Sequence, residues 1–305
     1  MIRSALALSS LAILAGCSDT TASHAGQDEV VMASSYPVAY LAERLGADDV
    51  RVSCPVPDDG DPASWRPERE DLARFQRAGL IVVNGAEFEA WVQTASLPDS
   101  RLVDASKPFA AQFQTYESVS HSHGPGGSHS HDGIDGHTWM DPMLAKSMAG
   151  TIRDAMKARW PQHAGDIEQR FGELAADLDA LHARLVGVSE QLGDRRIITN
   201  HPAYNYLVAR HGWRLKNLDL DPEAELTTDD RRAIEDSIEG EVGPILLWEA
   251  APLPSVKSAL SKDYGITSVV YTPAEVHTST HEQRGEDWLS LQNDNVDRLE
   301  RAAEQ

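Results

Sequence analysis

His163–Leu192, HAGDIEQRFGELAADLDALHARLVGVSEQL, is the stretch from which the rest of the chain is read. Ile167, Phe171, Leu174, Leu178, Leu181, Leu185 and Val188 recur at three or four residues, which is the repeat of one helix face. No other periodic stretch is as long. It is expected to join two compact units, so 161–193 is read as a linking helix, with 29–160 before it and 194–305 after it.

Short β-branched runs alternate with helical patterns on both sides. In the first half the runs are Val30–Ala33, Val50–Ser53, Leu80–Val83 and Arg101–Val103. Helical patterns fall over Val38–Leu45, Glu68–Arg77 and Glu87–Thr94, and another helix is expected after Pro142. In the second half the extended runs are Arg196–Thr199, Leu215–Leu220, Pro244–Trp248 and Thr267–Tyr271. Helices are expected at Ala203–Arg210, Asp229–Glu239, Ser255–Tyr264 and Glu286–Ala303. This alternation predicts βαβ units with right-handed crossovers. The expected class is therefore α/β: two lobes, each a mostly parallel sheet flanked by helices, joined by one long bridging helix. Only the order of elements, not a sequence repeat, relates the halves.

The N-terminus reads as an address. Arg3 precedes the uncharged run Ser4–Gly16, which is too short to span a bilayer, since a spanning helix needs about 20 apolar residues. A basic residue, a short apolar core and small residues describe an export signal. Its end, Leu14-Ala15-Gly16-Cys17, resembles a bacterial lipobox. That implies cleavage before Cys17 and acylation of its thiol, a stable anchor at about 0.8 kcal/mol per buried CH₂. Residues 18–28 then read as a polar tether. The expected location is extracytoplasmic, in the periplasm or at the cell surface, held to a membrane by lipid.

With Cys17 acylated, Cys54 is the one cysteine left. No intramolecular disulfide is possible, and the hydrophobic core must hold the fold together. The formal charge of −21, from 48 acidic and 27 basic residues, argues against nucleic acid, whose phosphates call for a basic surface. It suits a protein that attracts cations.

The chemistry is concentrated in histidine. His121, His123, His129 and His131 lie in a tract rich in Ser and Gly, read here as a loop (119–136) with no element of its own and as an accessory metal-capturing segment. Imidazole suits Zn²⁺ and its late first-row neighbours better than Mg²⁺ or Ca²⁺. Two other histidines occupy better-defined places. His137 stands where the loop gives way to a helix, in Gly136-His137-Thr138-Trp139-Met140-Asp141-Pro142. His201 follows the strand Arg196–Thr199, and ligands of open α/β sheets gather at such carboxyl ends. One from each half, they suggest a pair across a cleft.

These segments resemble a known family. Residues 136–142 are similar to the G-H-x-W-x-D-P segment of the zinc and manganese solute-binding proteins of bacterial ABC importers. Thr199-Asn200-His201-Pro202-Ala203-Tyr204, with Tyr206-Leu207 and Arg210, is similar to their second-lobe histidine motif, and Leu246-Leu247-Trp248-Glu249 to the strand after it. Trp288-Leu289 and Asn295 resemble the family's last helix, and a His-rich loop is typical of its zinc-binding members. The resemblance implies a metal held between the lobes as His137 and His201 ligate it, delivery to an inner-membrane permease, and no chemical step. It implies Zn²⁺ as the cargo, with Mn²⁺ second, and a monomer.

Two of the family's four ligand positions hold non-donors. Its first-lobe histidine falls at Ala63, in Gly60-Asp61-Pro62-Ala63-Ser64-Trp65, and its carboxylate after the last strand falls close to Pro273. Zn²⁺ wants four donors, or three plus water. Asp61, Glu249, Glu275, His277 and Cys54 are the candidates to replace them, and Trp65 could instead fill the vacated space. The alternative reading is a relative with a degenerate inter-lobe site that acts as a metal buffer or a partner-binding lipoprotein. An enzyme is not expected: the chain has no H-E-x-x-H helix, no G-x-S-x-G elbow and no phosphate loop.

Overall fold

A computed structural model describes residues 29–116, 119–123, 127–131 and 133–305. Cys17 and the tether lie outside the described residues. Two four-stranded sheets organise the molecule. The first comprises β1 (Val30–Ala33), β2 (Arg51–Ser53), β3 (Leu80–Val83) and β4 (Leu102–Asp104), and the second β7 (Arg196–Thr199), β8 (Arg214–Asn217), β9 (Ile245–Trp248) and β10 (Thr267–Val270). Every pairing in both is parallel. The first sheet has the order β2-β1-β3-β4 and the second β10-β9-β7-β8. Numbered within each lobe, both read 2-1-3-4, so the relation between halves suggested by element order is one of topology. The central strands LIVV of β3 and ILLW of β9 are buried throughout, as expected where helices cover both faces of a parallel sheet.

The helices are α1 (Tyr36–Gly46), α2 (Arg69–Arg77), α3 (Pro142–Arg159), α4 (Ala164–Leu192), α5 (Asn205–His211), α6 (Thr228–Ile238), α7 (Pro254–Tyr264), α8 (Ser279–Arg284) and α9 (Trp288–Ala303). The local chemistry sets their ends. The Asp141 carboxylate accepts the Met143 N–H and Pro142 opens α3, while Thr227 with Asp230 and Asp287 with Ser290 form capping boxes on α6 and α9. The long helix α4 buries Ile167, Leu174, Leu178, Leu181, Leu185, Val188 and Leu192. It packs on α1 and α3 of the first lobe and on α5 and α9 of the second. Its stripe thus belongs to one core that also contains Trp139, Tyr204, Tyr271 and Trp288. Among the described residues no helix is long and apolar enough to cross a membrane.

Two local expectations are corrected. The helix expected over Glu87–Thr94 is a 3-10 turn, Ala90–Gln93. Ala86 and Glu87 take left-handed backbone angles, and residues in that region do not propagate a right-handed helix. The His-rich segment, read as having no element, carries an antiparallel hairpin, β5 (Val119–His123) with β6 (Gly127–His131). Its Ser/His alternation has the period of a strand, two, which the search for 3.6-residue periodicity passes over. The register sets His121 opposite His129 and His131 opposite Val119, so all four histidines occupy positions of the same parity.

Polar contacts tie the lobes together near the hairpin's base. Trp139 Nε1 donates to Pro273 O (2.9 Å), the Tyr206 hydroxyl to Asp135 O (2.7 Å), Arg210 Nε to Asp141 Oδ2 (2.7 Å) and the Tyr36 N–H to Glu275 O (3.1 Å). Beside Arg210, the His211 ring stacks on Trp213 and tilts against His182 of α4 at 5.4 Å. Burial first, and then His182 and Arg210, hold its pKa down at about 4, with Asp141 opposing. The unfolded chain binds this proton near 6.5, so stability is full above that pH and is lost as pH falls from 6.5 towards 4. Allowing for partial exposure the loss is about 1 kcal/mol. His211→Gln is expected to remove that part of the pH dependence, read as the Tm difference between pH 7 and pH 4.5.

Candidate functional site

The site forms where the carboxyl ends of both sheets face each other. His137 sits at the end of a short connection leading into α3, and its ring is packed by Phe88 (5.7 Å, edge-on) and Trp139 (5.3 Å). Gly136 lets the chain pass this close to Phe88: a Cβ there would lie 2.7 Å from Phe88 Cβ and 2.9 Å from its Cα. Asn84 holds the same point from below, donating through Nδ2 to Gly136 O (2.8 Å). Beneath Asn84 the buried Glu89 carboxylate accepts from the Ser34 hydroxyl and from the Asn84 (2.7 Å) and Gly85 (3.2 Å) N–H groups. Burial lifts its pKa to about 7 although these donors oppose the rise.

Both nitrogens of the His137 ring have carboxylate partners. Asp135 Oδ1 lies 2.7 Å from Nδ1 and also accepts the His137 N–H (2.9 Å) and the Tyr116 hydroxyl (3.1 Å). Glu275 Oε1 lies 3.0 Å from Nε2. The first carboxylate is wholly buried and the ring is 5% exposed. Burial disfavours the charged ring, but Asp135 and Glu275 outweigh it and carry the pKa up to about 10. At neutral pH the ring is therefore an imidazolium that donates to both. A metal ion could bind at Nε2 only by displacing that proton.

His201 approaches from the second lobe. It follows β7, and its ring stands edge-on to His137 with centroids 5.6 Å apart. Glu249, one residue beyond β9, has Oε2 3.9 Å from His201 Nδ1. Its position is fixed by Asn200, whose Oδ1 accepts the Glu249 N–H (2.9 Å) and whose Nδ2 donates to Glu249 Oε1 (3.2 Å). Glu275 reaches the site from the loop after β10. Ala274 has φ 54, a strained left-handed turn for a residue with a side chain, and it redirects the chain between Pro273 and Glu275.

The candidates from the sequence therefore separate. His137, His201, Glu249 and Glu275 line one cavity of about 1130 Å³, together with Asp61 and Ala63. Asp61 uses Oδ1 to accept the Ala63 N–H (2.9 Å). Pro273 contributes only its carbonyl, to Trp139. Trp65 does not close the space: it lies along the cavity wall, edge-on to Trp91 at 5.9 Å. His277 and Cys54 line a different cavity of about 490 Å³ with Tyr36 and Glu43. There His277 stacks on Tyr36 at 4.6 Å and donates from Nε2 to Glu286 O (2.8 Å). Burial pushes the Cys54 thiol up to about 11, and it lines this second cavity, not the one that holds His137 and His201. The hairpin histidines have described backbone only.

Sequence reasoning missed Asp135 and Tyr116, which orient His137. The signal was present in Asp135-Gly136-His137, a carboxylate two residues before a histidine, a spacing that lets one side chain cap the other's N–H and hold its ring. Among the described residues, no three His, Cys, Asp or Glu side chains already surround a common ion position. The His137–Glu275 pair is closed on itself through a proton.

Comparison with known proteins gives a consistent picture. A family model described as ZnuA, zinc-uptake complex component A, periplasmic, matches residues 31–302. The zinc-binding lipoprotein AdcA of Streptococcus pneumoniae serotype 4 is 23% identical over 281 residues, 90% of this chain and 56% of that protein. The chain thus spans about half the length of the curated relatives it matches. The crystal structure of the metal-dependent lipoprotein YcdH from Bacillus subtilis has a TM-score of 0.76 at 22% identity, covering 89% of this chain and 97% of that one. The Zn(II)-bound ZnuA-like domain of S. pneumoniae AdcA has a TM-score of 0.75 at 21% identity, covering 90% and 98%. These likenesses establish the two-lobed fold.

Proposed function

The chain belongs to the ZnuA family, and from that premise we propose that it is the extracytoplasmic receptor of an ABC importer. In this reading it captures Zn²⁺ between its lobes, with Mn²⁺ as the weaker cargo, and hands the ion to an inner-membrane permease without a chemical step. It acts as a monomer anchored by lipid on Cys17. His137 and His201 ligate through imidazole nitrogen, and Glu275 supplies a carboxylate oxygen. Glu249 stands behind His201 as a further acceptor, and Asp135 orients His137 from its far nitrogen, an arrangement common around metal-bound histidines.

The observation that carries this reading is that His137 of the first lobe has Glu275 at 3.0 Å and the His201 ring at 5.6 Å, both from the second lobe. A site assembled in this way exists only when the lobes are held together, which suits capture and release. The chain's −21 charge draws cations towards it. The hairpin with His121, His123, His129 and His131 is the accessory metal-capturing segment.

Titration of residues 18–305 with Zn²⁺, with and without residues 119–133, tests this. The expected result is that deletion lowers the number of ions bound but leaves one tight site. Loss of all tight binding on deletion would remove the inter-lobe site from consideration. The buffer alternative is favoured by Ala63, a methyl where the family has a donor. Zinc-limited growth that depends on this protein together with a permease separates a receptor from a buffer.

A further inference from the structure

The inter-lobe cavity is much larger than an ion needs. A divalent ion held by His137, His201 and Glu275 leaves at most three coordination positions, and three waters occupy about 90 Å³. The cavity measures about 1130 Å³, slightly above the range of sites that hold small organic molecules, roughly 300–1,000 Å³. The wall facing the histidines is built for contact and not for coordination. Ala63 presents a methyl group, Asp61 spends an oxygen on the Ala63 N–H, and beyond them Trp65, Phe88 and Trp91 line the space. Trp65 keeps its place on that wall by packing edge-on against Trp91, which is itself seated on Phe75.

We propose that the cargo is a divalent metal already complexed by a small organic chelator, whose donor atoms supply the coordination that Ala63 no longer offers and whose body fills the aromatic part of the cavity. This rests on the metal-receptor reading above and specifies its substrate. The lining also fixes the charge of the complex. Asp59, Asp61, Glu87, Glu249 and Glu275 line the cavity with Arg66 and the two histidines, so carboxylates outnumber the cationic groups and a neutral or cationic complex fits better than a polyanionic one. An amino-acid-type chelator with imidazole or amine nitrogens and one carboxylate meets these conditions. Its 1:1 complex with Zn²⁺ is a monocation with open positions for His137, His201 and Glu275, and its flat ring can lie against Trp65.

The test uses Zn²⁺ and radiolabelled L-histidine, the smallest chelator of this kind, in equilibrium dialysis against residues 18–305, with protein-bound zinc measured in the same samples. The expected result is about one labelled histidine retained per protein, only when Zn²⁺ is present. Trp65→Ala is expected to lower that retention at least tenfold. Ala63→His, which restores an imidazole on the vacant wall, is expected to retain Zn²⁺ while releasing the label. Stoichiometric Zn²⁺ without label in the parent protein would overturn the inference and leave the receptor reading standing. Retention of neither would overturn both. Label retained equally by the parent and Ala63→His would show that the chelator is not sharing the ion's coordination at this wall.

Discussion

His137→Ala is expected to lower the affinity for Zn²⁺ more than about a hundredfold, and isothermal titration in a weakly coordinating buffer measures it. Three things are lost together. The first is a nitrogen donor, in a site where Ala63 already leaves the opposing wall without one. The second is the fixed partner of Glu275, whose carboxylate lies 3.0 Å from His137 Nε2 and would turn to solvent without it. The third is the anchor of Asp135, which is fully buried. A buried carboxylate deprived of its cationic partner is costly, so the variant should also lose stability, by about 3 kcal/mol or more.

Asp135→Asn separates these contributions. It keeps the shape and the His137 ring but weakens the charge behind Nδ1, and the loss expected of a partner that orients a metal-bound histidine is ten- to hundredfold. A His137→Ala effect no larger than that of Asp135→Asn would mean that His137 orients other groups and does not itself hold the ion. His201→Ala is the matching change in the second lobe. If neither histidine matters, the metal lies elsewhere and the hairpin becomes the site.

The parts of this arrangement differ in how far the sequence discloses them. Parallel strands such as Leu80–Val83 and Ile245–Trp248 are short, apolar on both faces and flanked by helical patterns, so their class is readable from local composition. The stripe on α4 is readable for the same reason, since burial along one helix face imposes a period. His137 and His201 could be singled out because each lies next to an element boundary. Glu275 could be put forward as a donor but not placed. Its arrival depends on the left-handed turn at Ala274, a conformation that an alanine does not announce. His277 and Cys54 show the reverse case. They are good ligand types close in sequence to site segments, and tertiary packing turns them into the neighbouring cavity with Tyr36. Trp65 could be expected to fill the gap at Ala63, and instead it lines the cavity. Its place is settled by Trp91, a residue far enough along the chain that no local pattern connects the two.

Gly136→Ala is expected to be strongly damaging for a change of one methyl group. The added Cβ would meet Phe88 Cβ and Cδ2 at 2.7 Å and its Cα at 2.9 Å. Cα and Cβ belong to the backbone and its first carbon, so even if the ring turned, those two contacts would remain. Either the 135–137 connection lifts away or Phe88 shifts with the left-handed turn at Ala86 and Glu87 that precedes it. Overpacking of this kind typically costs 1–3 kcal/mol, and here the displacement falls on the peptide next to His137. Asn84 would lose its bond to Gly136 O (2.8 Å), and Tyr206, which reaches across from the second lobe to Asp135 O (2.7 Å), would lose alignment as well. Zn²⁺ affinity should therefore fall at least about tenfold, since small misplacements of a ligand are expensive in a preorganised site, together with a lower Tm. Phe88→Leu in the same chain relieves at most the ring contact at Cδ2, because leucine keeps Cα and Cβ where they are. If the clash is the cause, the double variant recovers part of both the affinity and the Tm. Full recovery by the double variant would mean that the Phe88 ring alone, and not the close approach of Gly136 to Phe88 Cα and Cβ, sets the requirement for glycine.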